Sequence, residues 1–240
     1  MLVLMAVRRD RRPARGIDRR KRRAVALAVG VYGLSQLVSL LRGRATGPGR
    51  RNAFAVLRAE RWLVIDVEQR VQRAFLARPA ALALCNVIYV ANQFVITPAA
   101  LWAVHRREPG VYAAARDRIL VALFGATLWH AVQPVVPPRS LGIGIVDTVS
   151  RFTPLNLDSR LTRSIYNPNA AMPSLHMATA LLTSRAMWDL GGGPVGRPAA
   201  VIYPGLVAAA VVATGNHFVL DIVGGSALAA AATLLIRRRV

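Results

Sequence analysis

The chain has 240 residues, of which 54% are hydrophobic, and a mean hydropathy of +0.38. That is too apolar for an ordinary soluble domain and points to a polytopic membrane protein. Its formal charge of +21 comes almost wholly from arginine, Lys21 being the single lysine; with no basic soluble domain to carry it, the excess reads as orientation and headgroup charge, and nucleic-acid binding is set aside.

In chain order, residues 1–23 form a basic tail, expected in the cytoplasm, with "RRDRRPARGIDRRKRR" at 8–23. "MLVLMAV" is too short for a signal-peptide core, and its basic run follows it, so no cleavable leader is expected. Apolar runs near the ~20 residues needed to cross a bilayer predict spans near 24–41, 80–104, 119–136, 172–190, 199–216 and 218–236. A Gly/Arg connector at 42–53 leads into 54–78, where Phe54, Leu57, Leu63, Val64, Val67, Val71 and Phe75 alternate with Arg and Glu at helical spacing. That segment reads as an amphipathic helix in the membrane interface. The longest loop, 137–171, is turn-rich, with "PPR", "FTPLN" and "YNPN". Cys85, the single cysteine, falls in the second span and excludes an internal disulfide or a cysteine-rich metal site. The expected fold is an all-α bundle of six transmembrane helices with an interfacial helix. Its parts are a tail (1–23), a first span plus amphipathic helix (24–78) and a membrane core (79–240).

Basic residues near the span ends set the expected orientation. With the N-terminal tail inside, six spans also place Arg106, Arg107, Arg116, Arg118, Arg185, Arg197 and Arg237 to Arg239 inside. One segment conflicts: residues 42–78 would lie outside, yet carry nine arginines against three acids. Moving them inside would strand the C-terminal arginines outside, so six spans is preferred to five.

Three polar stretches then fall on the outer face: "QPVVPPR" (133–139), "PSLH" (173–176) and "GNHFVLD" (215–221). Pro173 suits the first position of a helix, where its missing N–H costs nothing. Ser174, Leu175 and His176 would then offer free N–H groups at the positive end of the helix dipole, a ready anion site. His217 and Asp221 are four apart and share a helix face, so the carboxylate can hold the imidazole in one tautomer. Arg139, set by Pro137 and Pro138, offers a planar fork suited to phosphate. The set amounts to a phosphate cradle, a nucleophile with its orienting acid, and a second histidine as proton donor.

"NPNAAMPSLHMA", "TGNHFVLDIVGG" and the "P-x-x-PPR" ending of the third span resemble the type 2 phosphatidic acid phosphatase superfamily, which includes vanadium-dependent haloperoxidases. They look most like the branch of fungal inositol phosphorylceramide synthases and actinobacterial membrane phosphatases, over roughly residues 80–236. The resemblance implies that His217 forms a phosphohistidine, Asp221 orients it and His176 protonates the leaving group. Arg139 and Ser174 would hold the phosphoryl oxygens, with neither metal nor cofactor. The implied substrate is a phospholipid or polyprenyl-type lipid phosphate in the outer leaflet of a bacterial inner membrane. Two cations of the commoner pattern are missing: the positions seven before Arg139 and six before His217 hold Val132 and Val211. A phosphodiester carries one charge where a monoester carries nearly two, so an inositol-phosphate-type headgroup transferase is the alternative, unless Arg151, Arg160 or Arg163 reaches in from the loop.

Bland readings stand beside these. Ser174 can be a helix-start residue, Arg139 a snorkelling one, and His130 a packing residue. His105 is expected in water, Asp147 and Asp158 are ordinary loop acids, and Gly224 and Gly225 allow close packing. Asn86, Tyr89, Asn92 and Gln93 either face the site or hold helices together. A metal hydrolase using His130, His176, His217 and Asp221 matches no familiar ligand spacing, and a transporter or scaffold leaves the histidines unexplained.

Overall fold

The structure is a computed structural model. It describes residues 47–236, except 158, 160, 161, 163–165 and 192, together with scattered positions between 26 and 38. The basic tail, most of the first expected span, Asp158, Arg160 and Arg163 lie outside the described residues.

The described residues are helical, and the one bridge of β type joins Val135 to Ala170. In chain order the helices are α1 (Gly47–Trp62), α2 (Glu68–Leu76), α3 (Pro79–Arg107), α4 (Pro109–Val132), α5 (Thr148–Phe152), α6 (Leu175–Asp189), α7 (Gly193–Ala213) and α8 (Val219–Leu235). α6 is the central post, packed against α3, α4, α7 and α8. Among the described residues, Pro79–Arg107 and Gly196–Ala213 are long and apolar enough to cross a membrane, and Val219–Leu235 is apolar but shorter. These helices point to membrane association. Beside an apolar core, Val87, Phe94, Trp102, Val201 and Leu234 are exposed, while Asn86, Asn92, Thr127 and Thr183 are buried.

Several expected boundaries shift. The third span was expected at 119–136 but is helical over Pro109–Val132, because Pro134 cannot continue it. The 54–78 segment is two helices, broken where Val64 takes a positive φ of 60°. Leu57 faces inward, but Phe54, Leu63 and Val64 are exposed, and the inner face carries Glu60, Glu68 and Gln72 instead. α3 widens into a π-helical turn at Asn92–Ile96, just before Pro98. A proline ring crowds the preceding turn and removes an N–H, and the wider turn absorbs both.

α1 and α2 hold the loop between α4 and α5. Arg50 donates to the carbonyls of Ser140 (2.6 Å) and Leu141 (3.2 Å), and Asn52 donates to that of Pro134 (2.8 Å). Gln72 bridges the same loop to the end of α7: it accepts from Val146 N–H (2.7 Å) and donates to the carbonyls of Val146 (2.8 Å) and Ala213 (3.1 Å).

Candidate active site

The three polar stretches meet at one end of α6. Pro173 is not the first helical residue, as expected, but the residue before the N-cap; the cap is Ser174, whose hydroxyl accepts from Met177 N–H at 3.3 Å. The helix-start reading of Ser174 therefore holds. Its hydroxyl hydrogen stays available as a donor, and the N–H groups of Leu175 and His176 have no partner within the helix. Ser174 N–H donates to the Asp221 carbonyl at 2.9 Å, which stitches the start of α6 to α8. Gly225 permits this approach: a Cβ there would fall on the Ser174 carbonyl and 3.0 Å from Met177 Cβ. At Gly224 an added Cβ would lie 3.3 Å from Pro173, a looser but still tight contact, so both glycines are close-packing ones.

His217 is 4% exposed and Asp221 fully buried. The imidazole Nδ1 lies 2.8 Å from the Ala171 carbonyl and 3.3 Å from Asp221 Oδ2. A carbonyl only accepts, so Nδ1 carries the hydrogen and Nε2 the lone pair. The shorter of the two orienting bonds is to the backbone, which spacing did not indicate. Asp221 Oδ2 also accepts from Phe218 N–H at 2.8 Å, fixing the carboxylate across the first turn of α8.

His176 meets His217 edge to face, ring centroids 5.6 Å apart, and stacks on Tyr89 at 4.4 Å and 17°. Asn92 of the π turn donates to the His176 carbonyl (3.3 Å) and to Thr179 (3.2 Å), and Tyr203 donates to Asn92 Oδ1 at 2.5 Å. Of the polar residues of α3, Tyr89 touches the site and Asn92 holds the helix that carries it. Asn86 pairs with Thr148 at the start of α5 (2.7 Å). His130 lies 3.3 Å from the Pro173 carbonyl, a supporting contact. His105 is half-buried against Tyr112, not in water as expected, with ring centroids 4.6 Å apart.

The Arg139 side chain is 3% exposed. Nε donates to Asn216 Oδ1 (2.8 Å), Nη1 to Asp147 Oδ2 (3.0 Å) and Nη2 to the Tyr166 hydroxyl (3.4 Å). Its backbone N–H donates to the Gly215 carbonyl at 3.1 Å. This is no snorkelling arginine: five donors meet three acceptors, and two N–H bonds are left over. Asp147 corrects a reading, since it is not an ordinary loop acid. It pairs with Arg139 and caps α5, accepting from Ser150 N–H at 3.0 Å. "DTVS" is a legible cap signature; its pairing with an arginine eight residues earlier is a tertiary fact.

All five expected site residues, His176, His217, Asp221, Arg139 and Ser174, thus belong to one connected cluster. Among the described residues, no three His, Cys, Asp or Glu side chains group in a way that could hold a metal ion.

Two histidines, an acid and a buried arginine, gathered in a helical fold, are groups that phosphoryl chemistry uses. The sequence model of the PAP2 superfamily matches residues 54–235, and the chain belongs to that superfamily. The match reaches back through α2 into α1, beyond the residues where the sequence resemblance began. Comparison with curated proteins and with solved structures returns no match. Membership supports phosphatase or phosphotransferase chemistry on phosphate esters, since the superfamily generally comprises phosphoesterases.

Proposed function

We propose that the protein is an integral membrane lipid phosphatase or phosphotransferase that works through a phosphohistidine on His217, without metal. The observation that carries this is the tautomer of His217, with Nδ1 bound to Ala171 and Asp221 and the Nε2 lone pair left for attack. Nε2 attacks phosphorus, the ester P–O bond breaks, and His176 gives the leaving alkoxide its proton. Water or a lipid or sugar hydroxyl then attacks the phosphohistidine and returns a proton to His176. The two remaining N–H bonds of Arg139, the Ser174 hydroxyl and the start of α6 bind the phosphoryl oxygens.

Six spans with the site outside is the topology that suits this chemistry. Arg106, Arg107, Arg116, Arg118 and Arg185 sit at the far ends of their helices from His176. Trp102 and Trp188 are exposed toward that far end, and Trp62 and Trp129 are exposed near the site. Exposed tryptophans toward both ends of the bundle suit two interfaces. The arginine excess of 42–78 has a use on the outside. A groove of about 500 Å³, lined by Arg51, Phe54, Leu57, Arg58, Arg61 and Ile143, gives anionic headgroups a surface on the loop that carries Arg139.

Headgroup transfer from a phosphodiester is the second reading, favoured by the cation count. Val132 is 74% exposed, Val211 is fully buried, and Arg139 is already paired with Asp147. Arg151 lies against the Phe152 ring at 5.4 Å. With the Arg139–Asp147 pair neutral overall, the seat suits a singly charged diester better than a doubly charged monoester. The test is purified protein against a panel of lipid phosphomonoesters and diesters, following free phosphate and new lipids by mass spectrometry. Activity that survives in His217→Ala would overturn the reading, and chelator loss restored by a divalent metal would put a metal hydrolase first. Vanadate, a five-coordinate phosphoryl mimic, is expected to inhibit.

A further inference from the structure

Two buried acids outside the expected site touch the helix that carries Asp221. Glu60 of α1 is fully buried and accepts from Leu220 N–H at 2.7 Å. Glu68 of α2 is 3% exposed and accepts from Val219 N–H at 3.0 Å. With Asp221 Oδ2 on Phe218 N–H, three carboxylates take the three successive N–H groups that open α8. A helix start needs acceptors, but a single Ser, Asp or Asn cap normally suffices. Here the caps come from two other helices, and they sit within three residues of His217.

The second oxygen of Glu60, Oε2, is buried and has no donor. An ionised carboxylate oxygen left so is costly. A proton on it removes the cost and makes it a donor toward Glu68, whose carboxylate holds the adjacent N–H of Val219. We propose that Glu60 and Glu68 are positioning residues: a carboxyl–carboxylate clamp, sharing one proton, that fixes the start of α8 and so sets His217 and Asp221 against Ser174 and Ala171.

Burial first, then the Glu68 and Asp221 charges, raise the Glu60 carboxyl from 4.5 to about 8, against the lowering effect of its bond to Leu220. The titratable groups facing it are Glu68 on α2 and Asp221 on α8. On its own helix, Arg61 turns to Asp66 at 3.8 Å. The sign follows: the folded protein holds this proton more tightly than the unfolded chain. Its stabilisation is full below about pH 4.5 and is lost as pH rises through about 8. Above that, three carboxylates crowd one helix start and the clamp loosens.

The inference rests on the phosphohistidine reading for its effect on rate, but not for its effect on structure. The experiment therefore has two readouts on full-length protein in detergent: amide exchange at Val219 and Leu220, and rate against pH on p-nitrophenyl phosphate. Glu60→Ala is expected to speed exchange at both amides and to lower kcat about 10- to 100-fold, the scale of a misplaced catalytic group, with KM little changed. Glu60→Gln keeps an acceptor for Leu220 and a permanent donor toward Glu68. It is expected to recover most of the lost protection and rate, and to remove the fall above pH 8. Should Glu60→Ala fail to fold, Glu60→Gln alone decides through the pH profile. Unchanged exchange in Glu60→Ala, or a wild-type basic limb in Glu60→Gln, overturns the clamp. Faster exchange in a chain that shows no phosphatase activity at all overturns the catalytic reading and leaves the clamp standing.

Discussion

Arg139 and Asp147 form an ion pair at 3.0 Å, with side chains 3% and 19% exposed. The pair does two things at once: it seats the guanidinium beside Asn216, the residue before His217, and it anchors the cap of α5. Removing one partner from a buried pair leaves the other uncompensated, which costs more than the pair itself contributes.

Asp147→Asn is therefore expected to weaken phosphate recognition as well as the fold. Asn can still cap α5, but the buried guanidinium loses its countercharge, so the stability loss should be about 3 kcal/mol. Arg139, no longer neutralised, should swing from its seat. The expected outcome is a vanadate inhibition constant raised at least about tenfold, equal to 1.4 kcal/mol, together with a lower Tm. A large fall in Tm with unaltered vanadate affinity would show that Asp147 serves the fold alone.

The sequence was most legible where local physics decides. The spans expected near 80–104, 172–190 and 218–236 lie close to α3, α6 and α8 because long apolar runs between turn residues leave a helix little alternative. Pairings across the chain were not legible. Nothing local marks Asp147 as the partner of Arg139, or the Ala171 carbonyl as the shorter partner of His217 Nδ1. The inward placement of Glu60 and Glu68 was not legible for a further reason. On an amphipathic helix, acids are expected on the solvent face, and here the inner face needed acceptors for the start of α8.

Gly225 offers a packing test that separates site geometry from chemistry. Gly225→Ala places a Cβ on the Ser174 carbonyl, and backbone cannot yield as a side chain can. The expected cost is about 1–3 kcal/mol, read as a lower Tm with activity falling in parallel. Gly205→Ala on α7 is the control, because nothing lies within 4 Å of its added Cβ. Helical Gly→Ala at an open position is expected to be neutral or to stabilise by about 0.4–1 kcal/mol. Equal effects at the two sites would mean that α8 and α6 do not depend on close approach.

Topology is tested by single cysteines on a Cys85→Ser background. Leu155 is exposed on the long loop, and Glu108 is exposed between α3 and α4, at the opposite end of the bundle. With the site outside, a membrane-impermeant maleimide should label Leu155→Cys in intact cells and reach Glu108→Cys only after lysis. The reverse pattern would place the histidines in the cytoplasm and remove the outer leaflet from the proposed function.

The most discriminating prediction concerns the division of labour between the two histidines. Their rings meet at 5.6 Å, and only His217 has Nδ1 engaged by both a carbonyl and a carboxylate. His176 instead lies flat on Tyr89, a placement that keeps its ring beside the nucleophile. If His176 is the general acid, it matters in proportion to how badly the leaving group needs a proton. An alkoxide needs one, and a positioned acid contributes roughly 10²–10⁴-fold. A p-nitrophenolate leaves without help. His176→Ala is therefore expected to lose most of its rate on an alkyl phosphate ester while keeping most of the rate of covalent His217 phosphorylation on the aryl ester. His217→Ala should lose both, because no intermediate forms. Asp221→Asn should retain substrate binding and lose much of the rate on both esters, since the orienting charge is gone while the shape remains. Pre-steady-state release of p-nitrophenol, measured beside turnover of the alkyl ester, reads these terms separately. An equal fall on both esters in His176→Ala would remove it from the acid role and leave it as a group that only positions His217.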